Sequence, residues 1–157
     1  MTKRAMLEKY ITENIDSMYR FAYSYMKNNA DAEDAVSESV IRALHSINSL
    51  KDTKRIKFWM YRIIANTSIN MLKSTQRTIP SEFDENALGG ECDKSDIGFE
   101  SMVQSLDEKY KSVIVLKFFE DMTFKEIASV LGINENTVKT RLYRALEILR
   151  ENPEEYL

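Results

Sequence analysis

The chain has 157 residues, 43% of them apolar and 30% charged, with four glycines, two prolines and a formal net charge of −3. That length holds one ordinary domain or two small ones, and the scarcity of Gly and Pro favours helix over sheet. One cysteine, Cys92, excludes an internal disulfide; one histidine, His45, leaves little for metal chemistry; and no apolar run approaches the roughly 18 residues a membrane span needs. The first residues, MTKRAMLEKYITEN, carry two basic groups but no uninterrupted apolar core, so they do not read as a secretory signal. A soluble intracellular protein is the expectation.

In chain order, residues 6–27 place Leu7, Ile11, Ile15, Met18, Phe21, Ala22 and Tyr25 at threes and fours, a helical stripe. Asp31 is the expected cap of a second helix running to about Ile47, with Glu33 and Asp34 at its positive end and Val36, Val40, Leu44 and Ile47 inward. A polar, basic loop over residues 48–57 leads to a third helix at about residues 58–73. Residues 74–97 hold a proline, a glycine pair and an acidic run, the composition of a linker. As flexible coil its ends would lie roughly 25–30 Å apart, enough to tether two domains that move separately. Helices are then expected near 99–104, 108–119, 124–131 and 135–152. SVIVLKFF is β-prone, yet it continues the helical spacing of Tyr110, Val113, Ile114, Lys117 and Phe118. The prediction is an all-α chain of two small helical domains, 1–75 and 99–157, joined by an acidic flexible linker, 76–98.

Charge follows this division. Residues 1–75 carry +4, 76–99 carry −4 and 100–157 carry −3, although 134–150 alone carry +2. A basic helix in an acidic tail therefore needs an explanation of its own.

The stretch TFKEIASVLGINENTVKTRLYRAL supplies one. Thr123 and Glu126 have capping-box spacing, Gly132 stands where a helix end takes a left-handed residue, and Asn134 can cap the next helix. Ile133 and Val138 have the spacing of a hydrophobic staple. Two helices locked by so short a turn form a helix-turn-helix. On the second helix Val138, Leu142, Ala145 and Leu149 share the inner face. Asn136, Thr140, Tyr143 and Arg144 share the outer one, flanked by Lys139 and Arg141. Hydrogen-bonding and cationic groups at the helix's N-terminal half suit a DNA major groove; an ordinary helical hairpin with a solvated face is the other reading.

Two N-terminal segments carry further candidates. RIKFWMYRIIANTSINMLK brings Phe58, Trp59, Tyr61, Arg62, Asn66, Asn70 and Lys73 together, aromatics, amides and cations of the kind that stack on unpaired bases and follow a phosphate chain. Ile63, Ile64, Ile69 and Leu72 equally make it a core helix. In ADAEDAVSESVIRAL, Asp34 and Glu38 project together one turn apart beside Ile41, either a protein-docking ridge or a solvated helix start.

The order of these segments, ADAEDAVSESVIRALHSI, FWMYRIIANTSINMLKS, an acidic linker and EIASVLGINENTVKTRLYRALEILR, resembles bacterial sigma factors of the extracytoplasmic-function group over nearly the whole chain. The resemblance implies a sigma domain two and a sigma domain four. Asp34, Ser37, Glu38 and Ile41 then correspond to the surface that docks on the β′ clamp helices of core RNA polymerase, whose β subunit is also a partner. Ser37 stands where relatives often carry glutamine. Trp59, Arg62, Asn66, Asn70 and Lys73, with the loop before them, correspond to elements that open the duplex and hold a flipped base of the minus-ten element. Asn70 replaces a frequent aspartate, and Lys73 a frequent arginine. Asn136, Lys139, Thr140, Arg141, Tyr143 and Arg144 fall on the helix that reads the minus thirty-five element. The linker corresponds to the segment threading the RNA exit path. The resemblance further implies promoter DNA as a partner and an anti-sigma factor, membrane-bound in many cases, that would hold a cytoplasmic protein at the inner membrane face. It implies no cofactor and no small-molecule substrate.

Two other classes fit the sequence less well. A dimeric helix-turn-helix regulator would bind half-sites about one helical turn apart, but no heptad seam or ligand pocket signature accompanies the motif. An enzyme lacks support in a metal-ligand cluster or a glycine-rich phosphate loop; His45 reads as a surface helix residue and Cys92 as an exposed thiol.

Overall fold

The computed structural model describes residues 1–78 and 106–151. Among them there are helices, two short 3-10 turns and a π turn, and no strand. The expected helix at 99–104, Cys92 and nearly all of the expected linker lie outside the described residues.

Helix α1 (Lys3–Met26) starts at Thr2, whose hydroxyl accepts from the Ala5 N–H. At Asn14 the backbone leaves helical geometry, and the Asn14 side chain donates to the Tyr10 carbonyl at 2.9 Å. The kink breaks the expected stripe: Leu7 and Met18 are buried, but Ile15, just past the kink, is 41% exposed. Lys27 ends the helix in the left-handed region, at φ +67°, and turns the chain back.

Helix α2 (Asn29–Ser46) begins earlier than expected and its cap is Asn28, not Asp31. The Asn28 side-chain oxygen accepts from the Asp31 N–H at 2.8 Å, while its amide donates to the Asp31 carboxylate. Asp31 thus serves from the third helical position, where its charge also suits the helix's positive end. The residues α2 buries most deeply, Ala32, Ala35, Ser39 and Ala43, are small and let α1 and α3 approach closely.

The basic loop holds two 3-10 turns, Ile47–Ser49 and Thr53–Arg55. It is anchored by buried Leu50 and Ile56, and by Lys3, whose ammonium donates to the Leu50 carbonyl at 2.7 Å. Helix α3 (Ile56–Thr78) is longer than expected at both ends. It buries Met60, Tyr61, Ile64, Ala65, Thr67 and Ser68, whereas Ile69, expected inward, lies on the solvent side at 36% exposure. Phe21 joins α1 to α3, its ring 5.2 Å from that of Tyr61 and edge-on to Tyr25 at 5.4 Å. Such pairs add about 0.5–1.5 kcal/mol beyond the area they bury.

The second unit starts with α4 (Glu108–Ile114), which continues into a π turn, Val115–Phe119. The Glu120 N–H reaches back five residues to the Val115 carbonyl at 3.1 Å. The wider turn rotates Phe118 off the core face: expected on the stripe with Val113 and Ile114, it is 58% exposed. Helices α5 (Phe124–Leu131) and α6 (Glu135–Glu151) follow, and α6 packs on α4 and α5. The two units touch along two seams, α4 against α1 and α5 against α3.

Candidate functional site

The α5–α6 turn is built as its residue types dictate. The Thr123 hydroxyl accepts from the Glu126 N–H at 3.1 Å, and the Glu126 carboxylate accepts from the Thr123 N–H at 2.8 Å, a reciprocal capping box. Gly132 ends α5 at φ +69°, and its N–H donates to the Ala128 carbonyl. The Asn134 side chain accepts from both the N–H and the hydroxyl of Thr137. With both ends capped, the angle between the helices is fixed by backbone hydrogen bonds and by Ile133 and Val138, which join the core.

On α6 the inner face buries Val138, Leu142 and Ala145, with Leu149 half-buried. Asn136, Lys139, Thr140, Tyr143 and Arg144 are exposed and Arg141 is half-buried. Tyr143 is 59% exposed. The cations are lightly held. The Lys139 ammonium lies 5.7 Å from the Phe124 ring centroid, and Arg144 pairs with Glu147 at 3.9 Å between two well-exposed side chains. Exposed pairs of this kind contribute about 0–1 kcal/mol, so either cation can exchange its partner for a phosphate. Asn136, Thr140, Arg141 and Arg144 line a groove whose far wall is Lys109 and Tyr110 on α4. Those two α4 residues escaped the sequence reading, which treated α4 only as core.

In the first unit Arg62, Asn66, Asn70 and Lys73 are exposed along one side of α3, and Trp59 is half-buried against the core. Asp34, Ser37, Glu38 and Ile41 are exposed on α2, Ile41 at 53%. The structure brings Asn66 and Asn70 of α3 beside the α2 set, whereas Trp59, Arg62 and Lys73 line neither of the grooves between α2 and α3. Asp34, Ser37, Glu38 and Ile41 form one wall of a groove whose other wall includes Asn70 and Met71. Asn66 lines a neighbouring groove with Ile41 and His45, which is exposed as expected. Glu38 is not a free charge: Arg42 one turn on donates to it at 3.1 Å, a partner its i,i+4 spacing could have announced. Among the described residues no cluster of His, Cys, Asp or Glu could hold a metal ion, and no helix is long and apolar enough to cross a membrane.

Residues 10–78 match the family described as Sigma-70 region 2, and residues 98–149 match Sigma-70, region 4. Among curated proteins, the chain is 40% identical over 153 residues to RNA polymerase sigma factor SigV of Bacillus subtilis (strain 168), covering 95% of this chain and 92% of that one. It is 29% identical over 154 residues to the ECF RNA polymerase sigma factor SigW of the same organism, covering 87% and 82%. The chain belongs to the RNA polymerase sigma factors of the extracytoplasmic-function group. Solved structures share its fold. The sigma factor RpoE of Bartonella quintana, in complex with the anti-sigma factor NepR, superposes with a TM-score of 0.74 at 22% identity, over 92% of this chain and 94% of that one. CnrH in complex with the cytosolic domain of CnrY gives 0.71 at 21%, over 94% and 87%.

In this sigma factor the seams between the units involve side chains with other possible uses. Arg62 donates to the Ser129 carbonyl at 3.0 Å, and Lys57 donates to the Glu120 carbonyl at 3.0 Å. The Arg20 guanidinium lies 5.3 Å from the Phe119 ring centroid. Ser129 is near the C-terminal end of α5, whose free carbonyls carry partial negative charge and attract cations. Deeper in the seams, ionisable groups are buried without full satisfaction. The Lys111 ammonium nitrogen, the Glu120 Oε1 and the Tyr61 hydroxyl each lack a partner at hydrogen-bond geometry. Burial, reinforced by the nearby charge of Lys27, lowers the Lys111 pKa to about 7. Burial raises that of Glu120, against the pull of Tyr61, Lys57 and Arg20. Burial first, and then the charge of Glu120, raises that of Tyr61.

Proposed function

We propose that this sigma factor divides promoter recognition between its two units, with residues 1–75 serving the polymerase and the minus-ten element, residues 76–98 linking, and residues 99–157 reading the minus thirty-five element. The observation that carries the reading is α6. Its apolar stripe is buried, its N-terminus is capped by Asn134, and its outer face presents Asn136, Lys139, Thr140, Tyr143 and Arg144 to solvent, with Arg141 half-buried at the edge. Amides, a hydroxyl and weakly held cations on a rigid helix are the groups that contact base edges and phosphates in a major groove.

Asp34, Ser37, Glu38 and Ile41 dock on the β′ clamp helices, an acidic ridge with an apolar centre meeting the larger partner. Trp59, Arg62, Asn66, Asn70 and Lys73 hold unpaired bases of the minus-ten element. Asn70 shares a groove with Asp34 and Glu38, so the captured strand and the clamp helices would lie side by side. Arg62 now gives a hydrogen bond to Ser129, so the units separate at that seam before Arg62 meets DNA. Both solved neighbours are complexes, one of them with a named anti-sigma factor. By the same logic an anti-sigma factor, anchored in the membrane, holds this protein in the cytoplasm at the inner membrane face until a signal frees it. The net charge of −3 accords with a subunit that binds DNA weakly alone, because non-specific affinity grows with the number of phosphates neutralised.

Two promoter templates test the division, one fully duplex and one with a pre-opened bubble. Extruding a base costs a few kcal/mol and stacking returns about 1–3 kcal/mol per base, so polymerase contacts must supply the remainder. Alanine at Asn66 and Asn70, both exposed, should impair the duplex template more than the bubble. Folded variants that open the duplex as fast as the parent would refute the assignment of α3 to strand capture.

A further inference from the structure

The second unit already occupies cations on the face of the first unit that leads into and along α3. Arg62 donates to the Ser129 carbonyl at 3.0 Å, Lys57 donates to the Glu120 carbonyl at 3.0 Å, and Arg55 reaches the Ser129 hydroxyl at 3.5 Å. The acceptors follow from local structure. At the end of α5 the Gly132 and Ile133 N–H groups both turn back to the Ala128 carbonyl. The next carbonyl, that of Ser129, is among the last four of the helix and has no helical donor. It carries the partial negative charge of a helix C-terminus. The π turn supplies the other acceptor: it sets Phe119 against the Arg20 guanidinium, 5.3 Å from the ring centroid, and presents the Glu120 carbonyl to Lys57. The Glu120 side chain faces Tyr61, Lys57 and Arg20, all on the first unit.

This closure is held lightly. Arg55 and Arg62 are exposed, so water and ions compete for their bonds. Beneath them the Lys111 Nζ, the Glu120 Oε1 and the Tyr61 hydroxyl are buried without a hydrogen-bond partner. Opening the seam returns these groups to water, so their burial works against closure. Contacts between units of one chain that combine exchangeable bonds with orphaned polar groups resemble a transient interface.

We propose that the closed chain is self-inhibited: the carbonyl end of α5 and the end of the π turn occupy Arg62 and Lys57 in place of DNA phosphates, so the free sigma factor blocks its own strand-capture face until polymerase assembly parts the units. This rests on the reading of α3 as the strand-capture element. It also gives the weak DNA binding expected of the free chain a cause besides net charge. An open form populated at about 10% or less lowers apparent affinity at least about tenfold.

The test uses the full chain without polymerase, a labelled single-stranded oligonucleotide as the probe, and small-angle scattering to read separation of the units. Glu120→Lys sets a further cation against Lys57 and Arg20. It should expand the chain, keep its helix content by circular dichroism, and raise affinity for the oligonucleotide about tenfold. Phe119→Ala removes the ring under Arg20 without adding charge, at an exposed position of the π turn. It should move both readouts the same way by less, and it carries the test if Glu120→Lys loses helix. Adding Arg62→Ala and Lys57→Ala to either variant should abolish the gain in affinity and leave the expansion. Expansion without a gain would overturn the proposal. So would a gain that survives the two alanines, since the introduced charge would then account for it, and so would variants as compact as the parent. Arg62→Ala assembled with polymerase separates the two readings. If it slows duplex opening while the expanded free chain gains nothing, self-inhibition alone is wrong; if it leaves duplex opening unchanged, the α3 reading falls too.

Discussion

Replacing Lys111 by methionine should stabilise this protein, and by an amount that depends on pH. The Lys111 side chain is wholly buried, faces the like charge of Lys27 on α1, and has only Glu108 and Asp107 to offset it. Its pKa falls from 10.5 to about 7. Unfolded, the amine keeps its proton up to pH 10.5; folded, it releases it near 7. The folded state therefore binds fewer protons in that interval, and its stability rises with pH. Each pH unit is 1.36 kcal/mol, so at about pH 7.5 the buried amine costs about 4 kcal/mol and at about pH 9.5 between 1 and 2 kcal/mol. Methionine keeps the length of the stem and removes the charge. Urea unfolding of parent and Lys111→Met across this range should show the variant ahead by several kcal/mol near pH 7.5, with the gap closing by roughly 2–3 kcal/mol toward pH 9.5. Glu120 does not confuse the comparison, because both proteins share it. Tyr25 and Tyr61, whose pKa values burial raises, penalise the fold only above pH 10, outside the window. A gap that stays constant with pH would refute the reasoning, since it would mean that Lys111 remains charged and solvated.

Gly132→Ala tests the turn: a Cβ there meets nothing nearer than the Arg62 Nη2 at 4.0 Å, so the cost is the left-handed backbone alone, about 1–2 kcal/mol, read as a lower thermal midpoint, with Gly132→Asn milder. Reversing Asp34 and Glu38 to lysine should weaken assembly with core polymerase in a binding titration. Folding should change little, because the Glu38–Arg42 pair is about half exposed and such pairs contribute a few tenths of a kcal/mol.

Local signals in the sequence were reliable where a residue's role is decided by its immediate neighbours. The capping box at Thr123 and Glu126, the left-handed Gly132 and the Asn134 cap appear as their types require, because each needs only residues within one turn. The bounds of α5 and the buried stripe of α6 followed from periodicity. Asp31 misled because Asn28 offers an equally good cap three residues earlier and leaves Asp31 a better electrostatic position. Ile15 and Phe118 fell off their stripes because the Asn14 kink and the π turn alter the helical period, and neither is written in hydrophobic spacing. The site was legible as residues but not as a place. That Asp34 and Asn70 share a groove, or that Lys109 faces Arg144, depends on packing between helices distant in sequence. Long-range hydrogen bonds such as Arg62 to Ser129 leave no local trace at all.

Promoter selectivity conferred on RNA polymerase is what this chain is expected to supply. Runoff transcription measures that directly, with bacterial core polymerase, a library of duplex promoter sequences, and the chain present or absent. Specific transcripts should appear only when the chain is added, from templates sharing an upstream and a downstream element, and upstream selectivity should be lost when Lys139 and Arg144 are both alanine. Transcripts that are the same with and without the chain, or selectivity that survives the double substitution in a folded protein, would contradict it.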